Sequence, residues 1–95
     1  MTQLTVDMRT LDLQNASEQP VAGRHVRNLQ GLLNVWLRSF DEEPIPLLEL
    51  DGVAGGKTAG ITVRFQEAHG LGADAVVGPQ TWTNLIEQSE EPVAI

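Results

Sequence analysis

Residues 51–59 read DGVAGGKTA and residues 74–82 read DAVVGPQTW. Both spell Asp-x-Val-x-Gly-x-x-Thr, 23 positions apart. Each residue type has a local physical role. An Asp at a turn accepts a hydrogen bond from its own backbone two residues on, and Gly tolerates the positive φ that tight turns use. Gly78 followed by Pro79 suits an N-cap and first helical position, where the missing proline N–H costs nothing. Gly55 is expected in the matching place of the first copy. Each copy is therefore a tight turn that launches a helix, with Val53 and Val76 expected as the apolar plugs that fix it to the core. Turn chemistry accounts for Asp51, Gly52, Gly55, Thr58, Asp74, Gly78 and Thr81 without a ligand. Ala75 stands where the first copy has Gly52, so it should adopt negative φ or carry strain.

Two ligand readings of these turns fail on residue type. A calcium loop needs oxygen ligands at alternate positions, where Val53 and Gly55 stand. A phosphate-cradling loop needs a Gly four residues before GGKT, where Asp51 stands, and a preceding apolar strand, and neither is present.

Outward from the repeats, the period of the apolar residues is helical. Val26, Leu29, Leu33, Trp36, Leu37 and Phe40 recur at threes and fours, predicting a helix near 24–40 with Arg24, Arg27 and Arg38 on its wet side. Thr58, Ile61, Thr62 and Phe65 predict a second near 56–69, stopped by Gly70 as a C′ glycine. Trp82, Leu85 and Ile86 predict a third near 79–88. The expected core is Leu29, Leu33, Val53, Ile61, Phe65, Val76, Trp82 and Leu85. Pro44 and Pro46 make the segment after the first helix a loop. Residues 3–14 alternate with a phase slip near Arg9, which predicts an extended segment. The expected organisation is an N-terminal extended segment and connector over 1–22, a helical domain over 23–88, and an acidic tail over 89–95.

The 95 residues carry 13 acidic and 6 basic side chains, a net charge of −7. Such a field repels phosphate backbones, so no nucleic-acid partner is expected. No run of apolar residues is long enough to span a bilayer, so no membrane insertion is expected. With no cysteine and only His25 and His69 as histidines, no metal site is expected. The N-terminus has neither a basic nor an apolar signal region, so the chain does not disclose its localisation.

From Gly23 to Leu85 the ordered motifs resemble the small three-helix peptidoglycan-binding domain appended to bacterial and phage cell-wall hydrolases, related to the pro-region of matrix metalloproteinases. Gly23 precedes Val26-x-x-Leu29-Gln30-x-x-Leu33. Asp51-Gly52-x-x-Gly55-x-x-Thr58 and Phe65-Gln66 follow. Gly70-Leu71 and Asp74-x-x-x-Gly78-Pro79-x-Thr81-Trp82-x-x-Leu85 end the match. Ala54 replaces a usual aromatic, Ala75 replaces the second turn Gly, and Thr62 stands where an apolar residue is common. The resemblance implies an all-α fold, a three-helix bundle of that type with a short extended N-terminal segment. It also implies non-catalytic binding of wall peptidoglycan, stem peptide or glycan, and a place in the cell wall or outside the cell.

No nucleophile–base arrangement can be assembled, and the carboxylates fall in loops or the tail, so no enzyme, catalytic residue or cofactor is expected. A wall ligand offers amides, carboxylates, an ammonium and hydroxyls, which amide side chains and a few charges can meet. The expected ligand-binding residues are Asp51, Lys57, Gln66, Asp74 and Gln80, around one groove bordered by the two turns. Trp36 and Trp82 lie on apolar stripes and read as core. The alternative is a protein–protein interaction module, or a virion or delivery-machine subunit that keeps the fold. Residues 3–14 would then add to a partner's sheet edge or pair with a second copy of themselves.

Overall fold

The computed structural model describes residues 9–39 and 47–89. Three helices carry the fold: α1 (Arg24–Leu37), α2 (Gly56–Ala68) and α3 (Pro79–Ser89). Each is launched by a two-residue strand and a glycine. β2 (Val21–Ala22) and Gly23 precede α1, β3 (Val53–Ala54) and Gly55 precede α2, and β4 (Val76–Val77) and Gly78 precede α3. A fourth strand, β1 (Leu11–Asp12), comes from the N-terminal segment.

The strands correct the all-α expectation. β1 pairs antiparallel with β4, Leu11 opposite Val77, and β2 pairs antiparallel with β3, Val21 opposite Ala54. The ladders extend into the turns, because the Leu13 N–H donates to the Ala75 carbonyl at 2.9 Å and the Gly23 N–H to the Gly52 carbonyl at 2.9 Å. The described part of the segment expected to meet a partner thus pairs within the chain. Leu11, Leu13 and Ala16 are buried in the common core. Residues 3–8 of that segment lie outside the described residues.

Strand pairing also moves the plugs. Successive side chains of a strand point to opposite faces, so only one residue of each pair can face the core. It is the second: Ala54 and Val77 are fully buried, whereas Val53 is 43% exposed and Val76 half-buried. The rest of the expected core holds, with Leu29, Leu33, Ile61, Phe65, Trp82 and Leu85 all buried. α1 ends at Leu37 rather than Phe40, and Phe40 lies outside the described residues. α2 and α3 depart from expectation by one residue at their ends.

Helix ends follow the sequence closely. Pro79 opens α3, and the Trp82 N–H donates to the Gly78 carbonyl at 3.0 Å. Gly55 caps α2 and its carbonyl accepts from Ala59 at 3.1 Å. At the other end Gly70 has φ 69°, the Leu71 N–H reaches the Gln66 carbonyl at 2.8 Å and the Gly70 N–H the Glu67 carbonyl at 3.2 Å. This is the paired 6→1 and 5→2 closure that a left-handed C′ glycine permits.

Two buried polar side chains, Asn34 on α1 and Thr62 on α2, complete the frame. Asn34 mimics a strand edge for the loop: its Nδ2 donates to the Leu48 carbonyl at 2.9 Å and its Oδ1 accepts from the Leu48 N–H at 2.8 Å. Thr62, buried where an apolar residue is usual, donates to the Thr58 carbonyl one turn back at 2.8 Å, so its hydroxyl is satisfied inside the helix.

Candidate functional site

The repeated sequence builds the same hydrogen-bond network twice. In the first copy the Gln30 Nε2 donates to Asp51 Oδ1 at 3.1 Å, to the Val53 carbonyl at 3.0 Å and to Thr58 Oγ1 at 3.4 Å. Its Oε1 accepts from the Gly52 N–H at 3.0 Å. In the second copy the Gln66 Nε2 donates to Asp74 Oδ1 at 3.3 Å, to the Val76 carbonyl at 3.0 Å and to Thr81 Oγ1 at 3.2 Å. Its Oε1 accepts from the Ala75 N–H at 3.1 Å. Each Asp also closes its own turn, Asp51 Oδ1 accepting from Val53 N at 3.0 Å and Asp74 Oδ1 from Val76 N at 2.9 Å. A glutamine is required at the centre because the pocket needs donors and an acceptor on one planar group, and a carboxylate has no donor to offer. These bonds hold the Asp51 carboxyl below its ordinary value, the Val53 amide contributing most and Gln30 next.

Beside each network the surface is hollowed. The first groove, about 350 Å³, is lined by Leu48, Glu49, Asp51, Val53, Lys57 and Thr58, with Gly55 and Gln30. The second, about 320 Å³, is lined by Leu71, Gly72, Asp74, Val76, Gln80 and Thr81, with Gly78 and Pro79. Adding 23 to each of the first six numbers gives the second six. The grooves are therefore counterparts, built by the same turn and helix start.

This corrects the single groove expected between the turns. Asp51 and Lys57 lie in one hollow, Asp74 and Gln80 in the other. Gln66 has no exposed surface, because all of its amide is enclosed by the second turn, so it holds the site's shape and cannot touch a ligand. Asp51 and Asp74 are exposed but divide their role, one oxygen of each fixing the turn. Lys57 and Gln80 are exposed at the second position of α2 and α3. The residues that sequence reasoning missed are Leu48 and Glu49, and Leu71 and Gly72 as groove walls. The signal was there: the repeat extends upstream as Leu48-x-x-Asp51 and Leu71-x-x-Asp74.

A third, smaller hollow of about 160 Å³ is lined by His69, Asn84, Glu87 and Gln88. His69 sits at the end of α2 with its ring stacked on Phe65, centroids 4.0 Å apart, and its Nδ1 lies 3.0 Å from the Phe65 carbonyl. Trp36 meets Phe65 edge-on at 5.2 Å and is half-buried, while Trp82 is fully buried with its Nε1 donating to the Arg9 carbonyl at 2.8 Å. Both tryptophans are packing residues, as their stripes predict. Among the described residues no group of three or more His, Asp or Glu side chains is placed to hold a metal ion. No helix among them is long and apolar enough to cross a membrane.

The duplicated turn, the helix after each, and the buried glutamine that locks each turn coincide with a family pattern: the model of the peptidoglycan binding domain matches residues 23–85. The chain belongs to the peptidoglycan-binding domain family. The match runs from the cap of α1 to the inner face of α3, so both networks and both grooves fall inside it. A protein of Kitasatospora aureofaciens, the "uncharacterized protein in bpoA1 3'region", is 42% identical over 43 residues, which is 45% of this chain and 36% of that one. The chain thus spans about a third of the length of the curated relative it matches.

Proposed function

We propose that the domain binds bacterial wall peptidoglycan, stem peptide or glycan fragment, without catalysis, through the hollows beside the Asp51 and Asp74 turns. The observation that supports this most is the coincidence of the family match with the two grooves and their polar lips. Asp51 and Lys57 serve one groove and Asp74 and Gln80 the other, while Gln66 holds the second turn from below. In this reading the wall ligand makes hydrogen bonds to exposed side chains over a shallow surface. Each hollow sits at the lower end of the volume range of small-molecule sites, so a single contact is weak. A polymeric wall that offers many copies retains the domain by avidity.

Sedimentation with purified, teichoic-acid-free sacculi tests the reading. The wild-type protein should be depleted from the supernatant, and Lys57→Ala combined with Gln80→Ala should reduce depletion while the circular dichroism spectrum and melting temperature stay unchanged. Full retention of the wild-type protein in the supernatant at low salt refutes it. The interaction-module alternative loses support from the pairing of Leu11 and Asp12 inside the chain, which occupies part of the segment it relied on.

A further inference from the structure

The two grooves are a natural control for each other. Because their walls correspond residue by residue, whatever differs between them is not needed to build the turn. Leu48 and Leu71, Val53 and Val76, and Thr58 and Thr81 are conserved in kind. Charge is what differs: Glu49 becomes Gly72, and Lys57 becomes Gln80. The first groove therefore holds two carboxylates and one ammonium, and the second holds Asp74 alone. Glu49 and Lys57 are both exposed, and the side chain of neither makes a hydrogen bond or ion pair with another described residue. Nor does either charge serve the turn, which is closed by Gln30, Asp51 and backbone. In a chain of net charge −7 a solitary lysine facing a groove is a local reversal of sign. The groove wall is partly apolar, with Val53 43% exposed.

We infer that the groove beside Asp51 recognises a short peptide bearing both a free carboxylate and a free amine. Lys57 meets the carboxylate, Glu49 and the exposed oxygen of Asp51 meet the ammonium, and Leu48 and Val53 receive the small aliphatic side chains between them. The second groove lacks the cation and the second carboxylate, so it does not discriminate such a ligand. The identity of this peptide as an uncross-linked wall stem peptide rests on the wall-binding reading above. The charge pattern itself does not.

The test uses the whole chain, labelled with nitrogen-15 and titrated with the synthetic pentapeptide N-acetyl-L-Ala–γ-D-Glu–L-Lys–D-Ala–D-Ala, whose one free amine is the lysine side chain. Parallel titrations use its side-chain N-acetylated form, a fully amidated form in which every carboxylate is capped, and glycan strands stripped of peptide. Amide shifts should concentrate at residues 48–58. Each capped peptide should bind about two- to fivefold more weakly, the range an exposed ion pair allows. Lys57→Ala should weaken the free peptide by a similar factor and leave the amidated peptide unaffected, since the partner of Lys57 is then already absent. Glu67→Gln, on the outer face of α2, should change nothing. Shifts centred on residues 71–81, indifference to capping, or shifts at 48–58 caused only by the stripped glycan would each overturn the inference. If sacculi sediment the protein and the peptide leaves residues 48–58 unmoved, the peptide inference falls and wall binding stands. If the peptide binds as described and sacculi do not, wall binding falls and the zwitterion site stands.

Discussion

At position 75 an alanine does what a glycine does at position 52. Ala75 has φ 61° and Gly52 has φ 72°, so both take the left-handed conformation that a side chain resists. For an L-residue this costs about 1–2 kcal/mol. The turn holds Ala75 there because its N–H donates to the side-chain Oε1 of Gln66 and its carbonyl accepts from the Leu13 N–H. Ala75→Gly should relieve the strain and, after the loss of one buried methyl, stabilise the domain by about 0.5–1 kcal/mol. Gly52→Ala should act oppositely and cost about 1–2 kcal/mol, because a Cβ there would also lie 3.2 Å from the Gly23 carbonyl oxygen. Urea denaturation of the two variants checks the opposite signs, and two changes of the same sign would mean the copies are not equivalent. Asp51 gives a pH test at the same scale. Its carboxyl is lowered from the ordinary 3.8, so its stabilisation is complete above that value and is lost as pH falls through the lower folded-state value. Asp51→Asn should therefore flatten the acid side of the melting-temperature profile. An unchanged acid limb would show that the Val53 and Gln30 bonds contribute nothing to Asp51 ionisation.

Among the elements, α2 carries the most consequence, since Phe65 and Gln66 are adjacent and serve different ends. Phe65 fills the core beneath Trp36 and His69 and has no exposed surface. Phe65→Ala should cost roughly 3–5 kcal/mol. Gln66→Leu keeps the volume but leaves the buried Ala75 N–H unpaired and Thr81 Oγ1 without its donor, so it should cost more than about 2 kcal/mol. Denaturation midpoints measure both, and a loss below about 1 kcal/mol in Gln66→Leu would remove the network from the account of the turn. The helices were legible because the apolar period and the Gly–Pro signals both act within a few residues of sequence. Which turn Gln30 and Gln66 each lock was not, because their partners lie 21 and 8 residues away and only the fold brings them together. Val53 and Val76 were misplaced for a related reason. Strands of two residues have no period to read, and their facing is set by Val21 and Leu11 across the ladder. Pro79 and Gly56 stand at the same step of their copies and yet differ, since a Cβ at Gly56 would lie 3.2 Å from Ser17 Cβ. The N-terminal connector crosses the start of α2.

For the molecule as a whole, that connector joins parts that the sequence gives no reason to join. Leu13 is 1% exposed, and Trp82 donates back to the Arg9 carbonyl 73 residues away. Leu13→Ala should cost about 2–5 kcal/mol, and removal of the first 20 residues should expose Trp82 and shift its fluorescence to the red. An unshifted emission would mean that residues 9–16 do not cover Trp82 in solution. The candidate site was half legible. Asp51, Lys57, Asp74 and Gln80 do line hollows, but as two counterparts rather than one groove, because the 23-residue repeat is a repeat of shape as well as of sequence. In the proposed function these two hollows are where the domain meets the wall. Hydrogen–deuterium exchange of the full chain bound to intact, teichoic-acid-free sacculi measures it directly. Protection gained on the wall should map to residues 47–58 and 71–81, leaving the hollow around His69, Asn84 and Glu87 unchanged. Protection confined to that third hollow, or none on any surface, would contradict it.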